Sequence, residues 1–223
     1  MPQKVQRVKG VNDILPVEAK QWQALERVVK HVMNSYAYGE IRPPIFEKTE
    51  LFARGVGEDT DIVSKEMYSF SDMSKTALTL RPELTAGVVR SYIQNNLQQI
   101  SPLQKLWYEG PMFRQERPQK GRYRQFWQFG AEAIGSPHPE QDAEMIALFY
   151  AILKELGIEK SVTLKINSVG DSESRAIYRN SLQEYLRPHL SSLSETSQQR
   201  FESNPLRILD SKAPNDKELV RDA

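Results

Sequence analysis

The chain has 223 residues and a formal net charge of +1 at pH 7, with 39% hydrophobic and 26% charged residues, as in a globular protein of one domain with an appendage or of two small domains. The absence of cysteine excludes disulfides and thiolate chemistry, and the three scattered histidines give no transition-metal pattern. The near-neutral charge argues against a protein that coats nucleic acid. Neither a signal peptide nor a long apolar run is visible, so we expect a cytoplasmic protein with no membrane partner.

The first third of the chain is predicted to pass from a short arm into a helix and then into extended segments. Residues 1–16 form the arm, and residues 17–38 are predicted to be helical because apolar residues recur there at three- and four-residue spacing. In the extended stretch 40–51, Pro43 and Pro44 lack backbone donors, which excludes a central strand and favours a sheet edge or an interface. Three further segments follow: a Gly- and acid-rich loop over 52–64 and short strands over 65–70 and 77–81.

The segment RPELTA is predicted to deliver the chain from a strand into a helix. Pro82 ends the strand, Thr85 is a plausible N-cap, and the apolar spacing up to Leu97 is helical. Glu83 and Thr85 therefore lie at a helix N-terminus, where ligand contacts are common. Capping and a turn alone would explain Thr85 but would leave Glu83 without a role.

The chain is organised around a hairpin over residues 104–135, in which two aromatic-rich strands are joined by an arginine-rich loop. The loop carries a local charge of +4 in a chain whose total is +1. Its basic residues are Arg114, Arg117, Lys120, Arg122 and Arg124, and its one acid is Glu116. Such a loop should attract a polyanion, for example a nucleotide phosphate or a nucleic acid.

The second strand of this hairpin is predicted to have two different faces. With a period of two, the face that includes Trp127 and Phe129 is wholly apolar and belongs on a core. The other face places Gln128 and Glu132 on either side of Gly130, which would leave room above the sheet for a small polar ligand with an ammonium group or a ring N–H. A surface hairpin with one wet face explains this pattern about equally well.

The remainder of the chain is predicted to be mostly helical. Residues 139–156 form a helix with acidic residues in its first turn. Val162, Leu164 and Ile166 alternate as a strand, and Ser172 caps the next helix. Beyond these elements the pattern is polar and weak.

Seven segments, in this order, resemble histidyl-tRNA synthetase, a class II aminoacyl-tRNA synthetase. They are KGVNDILP (9–16), IRPPIFE (41–47), KEMYSF (65–70), LTLRPELTA (78–86), GPMFRQERPQKGRYRQFWQFGAE (110–132), INSVGD (166–171) and NPLRILDSK (204–212). One FRxE element alone would be weak evidence, whereas this series covers essentially the whole chain. The resemblance implies an α+β fold with a class II synthetase-like antiparallel sheet flanked by helices.

The resemblance also implies a domain organisation. Residues 1–169 correspond to the class II catalytic core with motifs 1 and 2, and residues 170–223 to the start of an inserted helical segment. Nothing matches the family's motif 3 arginine, its later histidine-binding motifs or its anticodon-binding domain. We therefore expect a catalytic domain truncated before motif 3, which is inactive by itself.

The family's functional residues carry over onto matching positions. Those implied to bind histidine are Glu83, Thr85, Arg114, Gln128 and Glu132. Those implied to bind ATP, with Mg²⁺ on its phosphates, are Arg114, Glu116 and Arg122. Arg114 is the implied catalytic residue, Arg122 would reach the ATP phosphates or the tRNA acceptor end, and Pro44 falls in the motif 1 dimer interface. The implied partners are L-histidine, ATP, tRNA(His) and a second copy of the chain, with no metal site made by the protein alone.

Two positions depart from the family pattern. The family usually has histidine where this chain has Trp127, and the strand parity makes Trp127 a packing variant on the apolar face. The family usually has glycine where this chain has Leu84, among the substrate contacts. Leu84 either narrows the pocket or turns away from it.

Two other functions remain open. The regulatory subunit of ATP phosphoribosyltransferase in histidine biosynthesis is a non-catalytic paralogue that shares the fold without needing an adenylate site. The intact set of Arg114, Glu116, Arg122 and Glu132 favours the synthetase over this paralogue. A plain RNA-binding module could use the basic loop, but the acidic face at Glu83 and Glu132 argues against it.

Overall fold

The computed structural model describes residues 5–56, 66–168 and 170–221 and divides into two compact units, Met1–Val162 and Thr163–Ala223. The sequence placed the domain boundary after residue 169, and the assignment of the two parts to a catalytic core and an inserted segment stays a prediction. Within the described ranges, no helix combines the length and apolar character that crossing a bilayer requires.

The first unit combines helices with strands of two to ten residues. Its helices are α1 (Pro16–Ser35), α2 (Thr49–Val56), α3 (Thr85–Gln94) and α4 (Pro139–Glu155). Its strands are β1 (Gly39–Glu40), β2 (Phe46–Lys48), β3 (Tyr68–Ser71), β4 (Ala77–Leu80), β5 (Gln104–Phe113) and β6 (Gln125–Ile134). They form two sheets, in the orders β1-β5-β6 and β2-β4-β3, and only the pair β1–β5 is parallel among these strands. The predicted α+β class, with antiparallel pairing and flanking helices, is confirmed.

Helix α1 covers one face of the central hairpin. It begins with a proline, whose missing N–H costs nothing in the first turn, and its apolar stripe buries Val29 and Val32. These side chains pack with Trp107 of β5 and Ile152 of α4, and Phe129 of β6 packs against the same cluster. The apolar face predicted for the second strand of the hairpin is therefore a core face.

Strands β5 and β6 form a continuous antiparallel ladder of ten residues each, from the pair Gln104–Ile134 to the pair Phe113–Gln125. On the face opposite α1, Phe126 packs against a second cluster that α3 contributes to. The alternation of faces predicted from the sequence is thus present along β6. It follows from the two-residue period of a strand and needs no knowledge of the partner strand.

The N-terminal arm is attached to the hairpin loop. The carbonyl oxygen of Gly10 accepts a hydrogen bond from the backbone N–H of Arg124 at 2.7 Å. Gly10 has a φ of +86°, and a Cβ there would lie 2.9 Å from a side-chain carbon of Pro118 and 3.0 Å from one of Arg124. Only glycine combines this backbone conformation with so close an approach.

Predicted elements of the first half differ from the structure at their boundaries. The extended stretch predicted over 40–51 ends at Lys48, and α2 begins at Thr49. The loop predicted over 52–64 is helical as far as Val56, because α2 runs through Phe52, whose side chain is fully buried. Residues 57–64 of that predicted loop lie outside the described residues. The strand predicted over 65–70 begins at Tyr68, and its first position, Lys65, likewise lies outside them.

The strand predicted at Val162 to Ile166 is wrong. These residues have no regular structure, and Val162, Leu164 and Ile166 are 44%, 61% and 74% exposed. An alternating apolar pattern becomes a strand only when a neighbouring strand satisfies its backbone groups and something covers its apolar face. Within the described ranges this segment has neither.

The second unit is a small helical bundle. Its helices are α5 (Ser172–Leu186), α6 (Glu195–Ser203), α7 (Leu206–Leu209) and α8 (Pro214–Val220). Asp171, and not the predicted Ser172, caps α5 by accepting a hydrogen bond from the backbone N–H of Ser174 at 2.7 Å. Buried Leu186, Phe201 and other apolar side chains form its core.

The fully buried Asp216 links the helices of this second unit. Its carboxylate accepts hydrogen bonds from the backbone N–H of Ser194 at 2.8 Å and from the hydroxyl groups of Ser194 and Ser197, each at 2.7 Å. The hydroxyl of Ser211 donates to it as well. One carboxylate thereby fixes the start of α6 against α8 and the turn that precedes it.

Candidate active site

Glu83 satisfies the N-terminus of α3. Its carboxylate accepts hydrogen bonds from the backbone N–H groups of Thr85, at 2.6 Å, and Ala86, at 3.0 Å. The N-cap position itself is held by Leu84, which has no polar atom to offer. The N-cap predicted at Thr85 is therefore wrong. Glu83, for which the sequence offered no structural role, accepts the hydrogen bonds of the free N–H groups at the start of α3.

Thr85 instead joins a network around the carboxylate of Glu132. Thr85 Oγ1 donates to Glu132 Oε1 at 2.8 Å. The hydroxyl of Tyr108 lies 3.3 Å from the same carboxylate oxygen and 3.4 Å from Thr85 Oγ1. Burial raises the pKa of Glu132, the hydrogen bonds from Thr85 and Tyr108 lower it, and the charge of Glu83 raises it, leaving the pKa above its usual range. A half-buried carboxylate of this kind suits a ligand N–H donor.

Gly130 makes room for Tyr108. The two residues lie directly opposite each other in the β5–β6 ladder. A Cβ at Gly130 would overlap the Tyr108 hydroxyl and would lie 2.8 Å from ring carbon Cε2. The sequence-based expectation that Gly130 leaves space for a ligand needs correction, because the tyrosine ring fills that space. No sequence pattern singles out Tyr108, since its position opposite a glycine depends on the register of the two strands.

Gln128 lies on the same face of β6, two residues before Gly130. Its side-chain oxygen is buried and has no hydrogen-bond partner in the described part of the chain. An unpaired buried acceptor costs roughly 1–3 kcal/mol. A donor on a bound ligand would remove that cost, so this oxygen is a candidate ligand contact.

The guanidinium of Arg114 is held in place at the end of β5. Its Nε donates to the carbonyl oxygen of Pro82 at 3.0 Å, and its Cζ lies 5.1 Å from the centre of the Phe126 ring. Its two terminal nitrogens make no hydrogen bond to the described residues, so they can donate to an anion as a fork. Since Pro82 directly precedes Glu83, this bond brings the arginine beside the N-terminus of α3.

A cavity of about 510 Å³ contains all three residues predicted to bind ATP. Arg114, Glu116 and Arg122 line it, together with aromatic side chains that include Phe126. Arg122 Nη1 lies 3.4 Å from Glu116 Oε2, and the side chains of the two are 56% and 14% exposed, respectively. This surface pair is weak, so an anionic ligand can compete for the arginine.

Arg124 is not among the residues that line this cavity. Its Nε donates to the carbonyl oxygen of Glu116 at 3.3 Å, and its Nη1 donates to that of Lys9 at 3.4 Å. The side chain therefore fastens the loop to the N-terminal arm. The sequence analysis included Arg124 among the residues that attract a polyanion. In the structure, its guanidinium holds the loop against the N-terminal arm.

Pro44 does not line the arginine-lined cavity, and its carbonyl oxygen lies 3.4 Å from Nη1 of Arg81, a buried arginine that the sequence analysis did not single out. Arg81 is 5% exposed, and its guanidinium donates to the carbonyl oxygens of Pro43, at 2.8 Å, and Pro111, at 2.9 Å. It thereby joins the proline segment to β5. The dimer interface expected at Pro44 stays a prediction.

No group of three or more potential metal-binding side chains occurs among the described residues. The contacts described above define a candidate site with two parts. One is an acid and amide face formed by Glu83, Gln128 and Glu132, and the other is the adjoining arginine-lined cavity. Thr85 and Tyr108 hold the acid face together.

A family model for histidyl-tRNA synthetase matches residues 10–195, which include every residue of this site. The chain belongs to the histidyl-tRNA synthetase family. Curated relatives agree: the chain is 53% identical over 221 residues to a histidine–tRNA ligase of Protochlamydia amoebophila, covering 96% of this chain and 52% of the relative. It is 54% identical to that of Chloroherpeton thalassium, covering 99% of this chain and 52% of the relative. The chain thus spans about half the length of these relatives.

Solved structures show the same fold. The S. aureus histidyl-tRNA synthetase, solved without ligand, is similar with a TM-score of 0.74 and 40% identity, covering 98% of this chain and 51% of that one. A Bacillus halodurans protein described as an ATP phosphoribosyltransferase regulatory subunit/histidyl-tRNA synthetase is similar with a TM-score of 0.63 at 23% identity, covering 99% of this chain and 66% of that one. The second likeness concerns the fold alone.

The two positions that depart from the histidyl-tRNA synthetase pattern have clear surroundings. Leu84 is 1% exposed and packs with Val88 and Met112, so it turns into the core and does not narrow the ligand face. Trp127 lies on the predicted apolar face, but 40% of it is exposed. Its ring centre lies 5.6 Å from that of Trp22 on α1, so it packs at the margin of the core.

Proposed function

We propose that the protein containing this chain is a histidine–tRNA ligase, which activates L-histidine with ATP to histidyl-adenylate and transfers the histidyl group to the 3′ end of tRNA(His). One observation carries the proposal. The acid and amide face adjoins the cavity lined by Arg114, so a site for a cationic, N–H-bearing group lies next to a site for phosphates. Histidine and ATP have these complementary features.

Arg114 is the proposed catalytic residue. Adenylate formation brings the histidine carboxylate onto the α-phosphorus of ATP, and pyrophosphate leaves. Because two anions must meet, positive charge that screens them and stabilises the charge developing in the transition state is the main requirement. The bond from Arg114 to Pro82 fixes the guanidinium before the substrates arrive, so little reorganisation is needed when they react.

The histidine subsite uses Glu83, Thr85, Gln128 and Glu132, with Arg114 at the carboxylate end. Gln128 offers a buried oxygen without a partner, and Glu132 keeps its Oε2 free of hydrogen bonds to the described residues. We assign Glu132 to the imidazole ring of histidine. Glu83 and Thr85, at the start of α3, are assigned to the ammonium group. A buried polar partner for the ring rejects isosteres more strongly than an apolar pocket could.

ATP would occupy the cavity of about 510 Å³, with Glu116 on the adenine side and Arg122 on the phosphates or on the tRNA acceptor end. Mg²⁺ would enter bound to the ATP phosphates, since it prefers phosphate and water oxygens to an all-protein cage. The exposed Arg117 and Lys120 of the loop are available to the phosphate backbone of tRNA(His).

We further propose that the protein is a cytoplasmic homodimer whose interface includes Pro44. The supporting observation is that the Pro43–Pro44 segment runs between β1 and β2 without strand pairing of its own. The activity is assigned to a protein that contains this chain, which spans about half the length of the curated relatives.

Histidine-dependent exchange of pyrophosphate into ATP by the full-length protein tests this function. Wild-type protein should exchange with histidine and with no other amino acid, and Arg114→Ala should lose at least about 100-fold in kcat/KM, the scale for removing one transition-state donor. No exchange with histidine in the wild type would refute the synthetase and leave the regulatory-subunit alternative. Equal exchange by Arg114→Ala would refute the role of the arginine.

A further inference from the structure

We propose that Tyr108 is a positioning residue for histidine recognition, whose hydroxyl holds one oxygen of Glu132 so that the other oxygen faces the ligand. The inference rests on the proposed function, because it concerns the same site. The Tyr108 hydroxyl contacts Thr85 and Glu132 and takes no part in the reaction itself. It acts through the carboxylate of Glu132.

The hydrogen bonds divide the two oxygens of the carboxylate. Oε1 accepts hydrogen bonds from Thr85 Oγ1 at 2.8 Å and from the Tyr108 hydroxyl at 3.3 Å. The oxygens of these two hydroxyl groups lie 3.4 Å apart. Oε2 of Glu132 has no hydrogen-bond partner in the described part of the chain. The carboxylate is therefore fixed through one oxygen, and the other remains available to a ligand donor.

The backbone is arranged to bring the tyrosine there. Tyr108 is 3% exposed and shares a face of the ladder with Gly130, its direct partner, and with Glu132, two residues further along β6. The ring can lie across β6 toward Glu132 only because Gly130 has no Cβ. A tyrosine opposite a glycine and diagonal to a carboxylate is a cross-strand arrangement that no single strand reveals.

The two hydroxyl groups also favour the ionised form of the carboxylate. Burial and the charge of Glu83 raise the pKa of Glu132, while Tyr108 and Thr85 oppose both by donating hydrogen bonds. Burial, chiefly, raises the pKa of Tyr108 to about 12, so the phenol stays a protonated donor at neutral pH. Removing the Tyr108 hydroxyl should therefore raise the pKa of Glu132 further and protonate it at a higher pH.

Tyr108→Phe in the full-length protein tests the inference, with histidine-dependent ATP–pyrophosphate exchange as the assay. Loss of one hydrogen bond to a charged group should raise the KM for histidine about tenfold and leave the KM for ATP within about twofold. The acid limb of kcat/KM for histidine should move to higher pH, because the carboxylate is then lost at higher pH. Gly130→Ala, which displaces the ring while keeping the hydroxyl, should give the same split between the two substrates.

Tyr150→Phe is the matched control. This tyrosine of α4 is 50% exposed and is not among the residues of the candidate site. It should leave both KM values and the acid limb unchanged. Wild-type values in Tyr108→Phe would overturn the inference while leaving the synthetase function intact. An equal loss for both substrates, or a protein too unstable to assay, would also overturn it, because the hydroxyl would then serve the fold. A wild type without exchange would refute the proposed function instead.

Discussion

Asp216→Asn should destabilise the helical unit Thr163–Ala223. The substitution keeps the shape of the side chain but removes its charge and turns an amide donor toward hydroxyl groups that now donate. Asp216 is fully buried and receives hydrogen bonds from Ser194, Ser197 and Ser211. No other carboxylate among the described residues of the unit is so enclosed.

The magnitude follows from the pKa. Burial alone would raise the pKa of Asp216, but the hydrogen bonds, led by that from Ser211, outweigh it and lower the pKa from 3.8 to about 2. At roughly 1.4 kcal/mol for each pKa unit, the charged form contributes about 2 kcal/mol to the free energy of unfolding at neutral pH. Leaving buried donors without an acceptor adds to this, so we expect a loss of about 2–4 kcal/mol.

The sign of the pH dependence provides the decisive readout. Because the folded pKa is depressed, the contribution of Asp216 is complete above its unfolded pKa of 3.8 and is lost as the pH falls toward about 2. Urea unfolding followed by far-UV circular dichroism should therefore show a difference between wild type and variant at pH 7 that shrinks steadily below about pH 4.

Asp210→Asn is the matched control, because Asp210 is an exposed aspartate of the same unit and should leave stability within about 0.5 kcal/mol. A difference between wild type and Asp216→Asn of less than about 0.5 kcal/mol at pH 7 would refute the reasoning. So would a difference that stays constant between neutral and acid pH.

Two further predictions concern the first unit. Gly10→Ala should raise the KM for ATP several-fold and leave the KM for histidine unchanged, because its Cβ would meet Pro118 and Arg124 and loosen the loop from the arm. Gly157→Ala, at a φ of +69° with nothing within 4 Å, controls for backbone strain alone in the same exchange assay, and equal effects of the two substitutions would contradict the clash. Trp22→Ala and Trp127→Ala should show a coupling free energy of about 1 kcal/mol in a double-mutant cycle of urea unfolding, since the ring centres lie 5.6 Å apart. Strictly additive effects would mean that each ring stabilises the fold only through its own burial and not through contact with the other.

The hairpin could be predicted from the sequence because its information is local. Turn residues delimit the loop, and alternation alone separates the Phe129 face from the Gln128 and Glu132 face. The register could not be predicted, since sliding one strand by two residues keeps both faces intact. Tyr108 opposite Gly130 therefore belongs to the tertiary structure, and with it the role of the glycine.

Local signals were misleading where two polar residues compete for one backbone group. Both Glu83 and Thr85 can satisfy the start of a helix, and hydroxyl residues are the common N-caps. Glu132 decides between them from the neighbouring strand, because it accepts the hydrogen bond of Thr85 and leaves the free N–H groups to Glu83. The choice depends on a contact 47 residues away in the chain.

The sequence by itself determined the family, the α+β class, the two faces of β6 and the identity of the charged residues, because motif order, residue periodicity and residue type are properties of the chain alone. Only the tertiary structure decided which charges are free. It engages Arg124 with main-chain oxygens and leaves the terminal nitrogens of Arg114 available. It also gives Val162 to Ile166 no partner strand within the described ranges. Availability depends on what lies across the fold from each side chain, and that is fixed only when distant segments pack together.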